Sequence, residues 1–127
     1  MEQAATTILL VDDDSDIRDG MSALLEMEGY KVVQAENGQA ALQVLEQMDR
    51  LPLAVVLDMA MPVLDGRGFL EQRAMDQILA SIPVIVVSGT KPKEALPNVE
   101  AFFQKPVEIK RLLESISHIE ARRDGLF

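Results

Sequence analysis

Five aliphatic residues in a row, Leu53 to Leu57, include two adjacent valines and show no helical spacing. Such a run suits a short strand buried on both faces, as in the interior of a parallel sheet. The residues just beyond the run narrow the choice of fold. Asp58 closes it, Pro62 and the Asp65-Gly66 pair mark an irregular loop, and a helical pattern begins after them. The Asp58 carboxylate is therefore expected at the carboxyl edge of a strand, where ligands bind in open α/β sheets. A lone Asp after a strand would be read as a turn or helix cap, but the rest of the chain repeats the pattern.

Ile8 to Val11 is a second apolar run, and it ends in Asp12, Asp13, Asp14, Ser15 and Asp16. Ile17, Met21, Leu24 and Leu25 then form one apolar stripe at helical spacing, with Gly29 as its stop. Lys31 to Ala35 is the next short strand, and Asn37-Gly38 starts a helix carrying Ala41, Val44, Leu45 and Met48 inward. After the Asp58 loop, the spacing predicts a helix from about Gly66 to Leu79 with Phe69, Leu70 and Met75 as apolar contacts. Val84 to Ser88 and Ala101 to Gln104 complete five strands, and a last helix runs from about Glu108 to Arg123 on Ile109, Leu112, Leu113 and Ile116. Pro92 and Pro97 leave room for no more than about one helical turn between the last two strands. The alternation predicts an α/β fold, a flavodoxin-like doubly wound parallel sheet in the order 2-1-3-4-5, with its fourth helix shortened or missing.

Bulk properties exclude several classes of function. At 127 residues the chain is expected to be a single domain over residues 1–127, with no room for a second globular output domain. Twelve Lys and Arg against 21 Asp and Glu give a net charge of −9, which disfavours direct binding to nucleic acid or anionic membranes. The absence of cysteine rules out disulfides, thiolate chemistry and cysteine metal sites. The apolar runs are too short to span a membrane, and the first seven residues carry neither a basic flank nor an apolar stretch. A cytoplasmic location is expected.

In the 2-1-3-4-5 order the first and third strands are neighbours. Asp12, Asp13 and Asp58 then meet in one crevice, with Ser88 and Lys105 arriving from the last two strands. Three carboxylates that close repel one another and favour a bound cation. An all-oxygen donor set selects a hard ion, for which Mg²⁺ is the expectation. A metal, a lysine and a hydroxyl around one carboxylate supply what phosphoryl transfer to that carboxylate needs, which is charge neutralisation and positioning.

At these residues the chain resembles the CheY-like receiver domains of two-component response regulators. The resemblance rests on the acidic pair after the first strand, the Asp-x-x-Met-Pro-x-x-Asp-Gly signature from Asp58 to Gly66, Ser88 after the fourth strand and Lys105-Pro106 after the fifth. It covers nearly the whole chain. It implies a phosphorelay signalling module, not an enzyme in the usual sense, with autophosphorylation and autodephosphorylation as its only chemistry. Asp58 would be the phosphoacceptor, Ser88 and Lys105 would contact the phosphoryl group, and Asp12 or Asp13 with Asp58 and the backbone carbonyl of Ala60 would hold Mg²⁺. Of the acidic pair, Asp13 is favoured as the direct ligand. Ser88 and Phe102 would form the switch, Phe102 standing where many relatives carry Tyr. The implied donor is a sensor histidine kinase or histidine phosphotransfer protein, recognised at Ile17, Arg18 and Gly20. Onward signalling would go to a further protein that the sequence does not name.

Plainer readings stand beside these. Asp14 and Asp16 are read as ordinary acids at a helix N-terminus, and His118, late in the last helix, as a surface residue. Ala60 and Thr90 occupy positions where relatives often carry side chains that influence water attack. Asp12-x-Asp14 followed by Ser and Lys also suits a haloacid-dehalogenase-like phosphatase with Asp12 as nucleophile. That class expects Thr or Val where this chain has Asp16, and it needs a later acidic pair that is missing. Asp12, Asp14 and Asp16 match the first positions of an EF-hand loop, but Ile17 and Ala23 stand where glycine and glutamate are required.

Overall fold

The computed structural model describes residues 6–59, 65–89, 96 and 99–125. Its elements run β1 (Thr7–Val11), α1 (Ser15–Met27), β2 (Lys31–Ala35), α2 (Gly38–Gln47), β3 (Ala54–Asp58), α3 (Gly66–Ala74), α4 (Gln77–Ala80), β4 (Val84–Ser88), β5 (Ala101–Gln104) and α5 (Ile109–Arg123). All strand pairs are parallel and the sheet order is β2-β1-β3-β4-β5. The expected doubly wound sheet is thus observed. Strand bounds agree with the sequence reading to within one residue.

The sheet is apolar on both sides because alternate residues of each central strand feed different cores. Leu9, Val11, Val55, Leu57, Val84 and Val86 pack with Leu42 and Leu45 of α2 and Phe69 and Leu70 of α3. Ile8, Leu10, Val56 and Ile85 pack on the other face with Leu25 of α1 and Leu112 and Ile116 of α5. Each such side chain taken fully from water contributes about 1.5–3 kcal/mol. Register is therefore strongly held, since β1 pairs Val11 with Leu57 of β3 and so brings the two following acidic segments level.

Helix ends are set by local chemistry. The Asp14 carboxylate accepts from the N–H groups of Asp16 and Ile17 to start α1, and Asn37 accepts from Ala40 N–H to start α2. At the far end of α1, Gly29 takes φ +94°, a left-handed geometry suited to glycine.

Three expectations change. The single helix from Gly66 to Leu79 is two, because the Asp76 carboxylate accepts from Ile78 and Leu79 N–H and caps a new turn instead of continuing the old one. Met75, at that break, is 87% exposed and is no core contact. The inward line of α1 is Arg18, Met21, Ser22 and Leu25, so Leu24 and Ile17 point outward, Ile17 being 39% exposed. The proline-limited segment between β4 and β5, where the helix was expected to be eroded, lies almost wholly outside the described residues. Among the described residues no helix is long and apolar enough to cross a membrane.

Candidate functional site

Each residue of the site is delivered by the end of a strand. Asp12 follows β1 directly, and its N–H donates to Ala35 O at 3.2 Å, extending the β1–β2 ladder by one step. Its side chain is buried and both oxygens are engaged. Oδ1 accepts from Asp14 N–H at 3.0 Å, and Oδ2 lies 3.3 Å from the Lys105 ammonium. Asp13 is exposed beside it. Asp58 is the last residue of β3 and is also buried, with Oδ1 3.4 Å from Lys105 Nζ. Carboxylate oxygens of Asp12, Asp13 and Asp58 all lie within 4.8 Å of one another.

The backbone after Asp58 explains the glycine of the signature. Met59 N–H donates to Val87 O at 3.2 Å and Gly66 N–H donates to Met59 O at 3.1 Å, so Gly66 lies back against the strand end. A Cβ on Gly66 would lie 2.7 Å from the Met59 Cα and 2.9 Å from the Asp58 carbonyl oxygen. Only glycine permits that approach. Asp65 then caps α3 by accepting from Gly68 N–H at 2.8 Å.

Ser88 closes β4 and is buried. Its carbonyl accepts from Lys105 N–H at 2.7 Å, which fixes the start of the segment carrying the lysine. Lys105 keeps 27% of its side chain exposed and reaches across to both acidic strands. Burial disfavours its ammonium, but the charges of Asp12 and Asp58 outweigh that effect and hold its pKa above the usual lysine value. Phe102 is half-buried on β5 opposite Val86 of β4, packed against the core face that α2 and α3 cover. Ile17 and Gly20 are both exposed. Ala60 and Thr90 lie outside the described residues.

This arrangement holds a local surplus of negative charge, with three carboxylates against one ammonium. The donor set fits a hard divalent cation, since it offers only oxygen ligands and one of its carboxylates opens to solvent. It is poorly suited to a softer metal, which prefers nitrogen or sulfur.

The chain matches the response regulator receiver domain family over residues 8–117. It belongs to that family. As a receiver domain it is 37% identical over 124 residues to the phosphate regulon transcriptional regulatory protein PhoB of Pseudomonas aeruginosa, a match covering 94% of this chain and 53% of PhoB. The chain thus spans about half the length of that relative. Among solved structures it is similar to a CheY-like response regulator receiver domain protein from Methanospirillum hungatei, with a TM-score of 0.84, 27% identity and coverage of 96% and 99% of the two chains. It also shares the fold of the receiver domain of the sensor histidine kinase PA1611 from Pseudomonas aeruginosa, with a TM-score of 0.80, 22% identity and coverage of 91% and 97%. That structure carries a magnesium ion coordinated in its active-site cleft. Receiver domains are signalling modules and not enzymes of the usual kind, and the haloacid-dehalogenase reading of Asp12 is not favoured.

Sequence reasoning brought the five site residues together but missed the polar groups that support them, naming Arg18 only for recognition of the donor. Arg18 donates to the Asp12 carbonyl oxygen at 2.6 Å, and Gln34 and the buried Ser22 lie behind it. The available signal was a serine on the inward line of α1, where every neighbouring position asks for an apolar side chain. Arg73, buried on α3, was also missed, because a long cation on an amphipathic helix reads as surface.

Proposed function

We propose that this chain is a phosphorylation-dependent signalling module of a two-component phosphorelay, in which Asp58 accepts a phosphoryl group from a histidine kinase or a histidine phosphotransfer protein. The observation that carries the reading is the Lys105 ammonium, set 3.3 Å from Asp12 and 3.4 Å from Asp58. A cation held between two carboxylates is placed to stay near Asp58 as charge builds on an incoming phosphoryl group.

In this reading Asp13 and Asp58, with Asp12 beside them and the Ala60 carbonyl, would hold Mg²⁺. The ion would supply charge neutralisation for the phosphoryl oxygens. A carboxylate oxygen of Asp58 forms the new bond to phosphorus while the donor nitrogen or oxygen leaves with its electron pair. Lys105 then turns from the Asp58 carboxylate to a phosphoryl oxygen, and the Ser88 hydroxyl donates to another. One hydrogen bond to a charged oxygen contributes about 1.5–3 kcal/mol, whereas moving a two-state equilibrium from 1:99 to 99:1 takes about 5.5 kcal/mol. Ser88 and Lys105 must therefore act together, with Phe102 following the movement of the β4–β5 edge. The chain serves as one receiver domain, cytoplasmic, passing its signal to a protein partner.

The test is intact mass after incubation with a small phosphodonor and Mg²⁺. The wild type gains one phosphoryl group and Asp58→Asn gains none. Labelling that survives Asp58→Asn and is lost in Asp12→Asn would overturn the assignment.

A further inference from the structure

The peptide unit between Asp12 and Asp13 links the buried carboxylate of the site to the exposed one. Its orientation sets the direction in which Asp13 leaves the main chain. Asp12 N–H is tied to Ala35 O of β2, and the other groups around it are tied within the loop, with Asp14 N–H on Asp12 Oδ1 and Asp16 and Ile17 N–H on Asp14 Oδ1. The Asp12 carbonyl is held from outside the loop, by Arg18 Nη1 at 2.6 Å.

An arginine at a helix surface would ordinarily extend into water. Here it is held at a second point, because its Nε donates to Gln34 Oε1 on β2 at 3.1 Å. Gln34 is fixed in turn, its Nε2 donating to the Ser22 hydroxyl at 2.9 Å and to Asp19 Oδ1 at 3.4 Å. Only one orientation of the Gln34 amide serves both a guanidinium donor and a carboxylate acceptor. Ser22 is buried on the same inward line of α1 as Arg18. The line of contacts therefore runs from the α1–β2 packing interface to the Asp12 carbonyl.

We infer that Arg18 is a positioning residue for the acidic site, held in place by Gln34 and Ser22, and that it sets the Asp12–Asp13 peptide so that the two carboxylates and Asp58 converge on one cation. The inference rests on reading those carboxylates as the Mg²⁺ and phosphoryl site. It makes a prediction whose sign separates it from a charge effect. A guanidinium beside the acidic loop competes with a dication, so if charge alone mattered its removal would tighten Mg²⁺ binding. A positioning role predicts the reverse.

The test is Mg²⁺ titration of the unphosphorylated protein, followed by calorimetry and by thermal melting, on Arg18→Ala, Arg18→Lys and Gln34→Leu. Arg18→Ala should bind Mg²⁺ about 10-fold more weakly, the usual consequence of losing a group that orients a metal ligand. Gln34→Leu, which leaves every charge in place, should weaken binding in the same direction by a smaller factor, and Arg18→Lys should recover part of the loss by donating to the Asp12 carbonyl alone. Should Arg18→Ala fail to fold, Gln34→Leu carries the test. Wild-type or tighter affinity in Arg18→Ala, or wild-type affinity in Gln34→Leu, overturns the positioning role. A wild type that neither binds Mg²⁺ nor labels at Asp58 overturns the functional reading and this inference with it.

Discussion

The two edges of the sheet are built from the same elements and treat charge in opposite ways. At the carboxyl edge, Asp12, Asp13 and Asp58 face a single ammonium, Lys105, and repulsion among the acids is only partly offset. At the amino edge, polar groups are more fully matched. Glu120 of α5 accepts from Tyr30 at 3.1 Å and from Thr6 at 3.4 Å and pairs with Arg123, while Glu100 pairs with Arg122. The buried Arg73 donates to the carbonyl oxygens of Ala80 at 3.1 Å and Ile82 at 2.8 Å, groups that the end of α4 leaves without helical partners. One edge holds unfavourable charge that a cation can relieve. The other fastens α3, α4 and α5 to the strand starts. The proposed function uses the edge where electrostatics are left incomplete, and the other edge holds the elements together.

The largest expected effect breaks the closed edge. Arg73→Met should cost about 3 kcal/mol, because a buried carbonyl and a part-buried one lose their donor, and thermal melting should show a fall on the order of 10 °C. Labelling at Asp58 should persist at temperatures where the variant is folded. A variant as stable as the wild type would show that the Arg73 contacts hold little.

Filling the open edge should be nearly as large. Free Mg²⁺ at 100 times its dissociation constant should stabilise the wild type by about 2.7 kcal/mol. That gain should shrink sharply in Asp13→Asn and stay intact in Glu120→Gln. Equal Mg²⁺ stabilisation in all three proteins would place the ion elsewhere.

Relieving the repulsion without a cation should give a smaller effect of opposite sign to most mutations. Metal-free Asp13→Asn should be more stable than the wild type by about 1 kcal/mol at low salt, the advantage fading as ionic strength shortens the Debye length. Urea melts at two salt concentrations measure it. A destabilised variant at low salt would mean that Asp13 makes a structural contact outweighing its repulsion.

The smallest effect concerns pH at the amino edge. Burial, and then the hydrogen bond to Glu120, raise the Tyr30 pKa to about 12. A folded value above the unfolded one means a contribution fully present below about pH 10 and lost as pH rises towards 12. Tyr30→Phe should lower stability modestly near neutrality, through the lost hydrogen bond to Glu120, and flatten the alkaline fall over that window. Ultraviolet titration of the wild-type tyrosine, the chain's only one, checks the assignment independently.

What could be read from the sequence was what depends on neighbours within a few positions. Apolar runs of four or five residues specified three of the strands, and Asp14, Asn37 and Gly29 marked helix ends because capping involves groups three residues apart or fewer. The carboxylates at strand ends were legible for the same reason, and strand order then came from the rules of parallel sheets. Asp76 carried a readable cap signal, yet the apolar residues on either side suggested a continuous helix. What tertiary structure decided was the fate of the long polar side chains. Whether Arg73 is buried depends on carbonyls left over at the end of α4, and whether Arg18 reaches Asp12 depends on Gln34, 16 residues away on another element. Lys105 meets Asp12 across 93 residues of sequence. A charged side chain is buried only where particular partners await it, and their positions exist only once the sheet has closed.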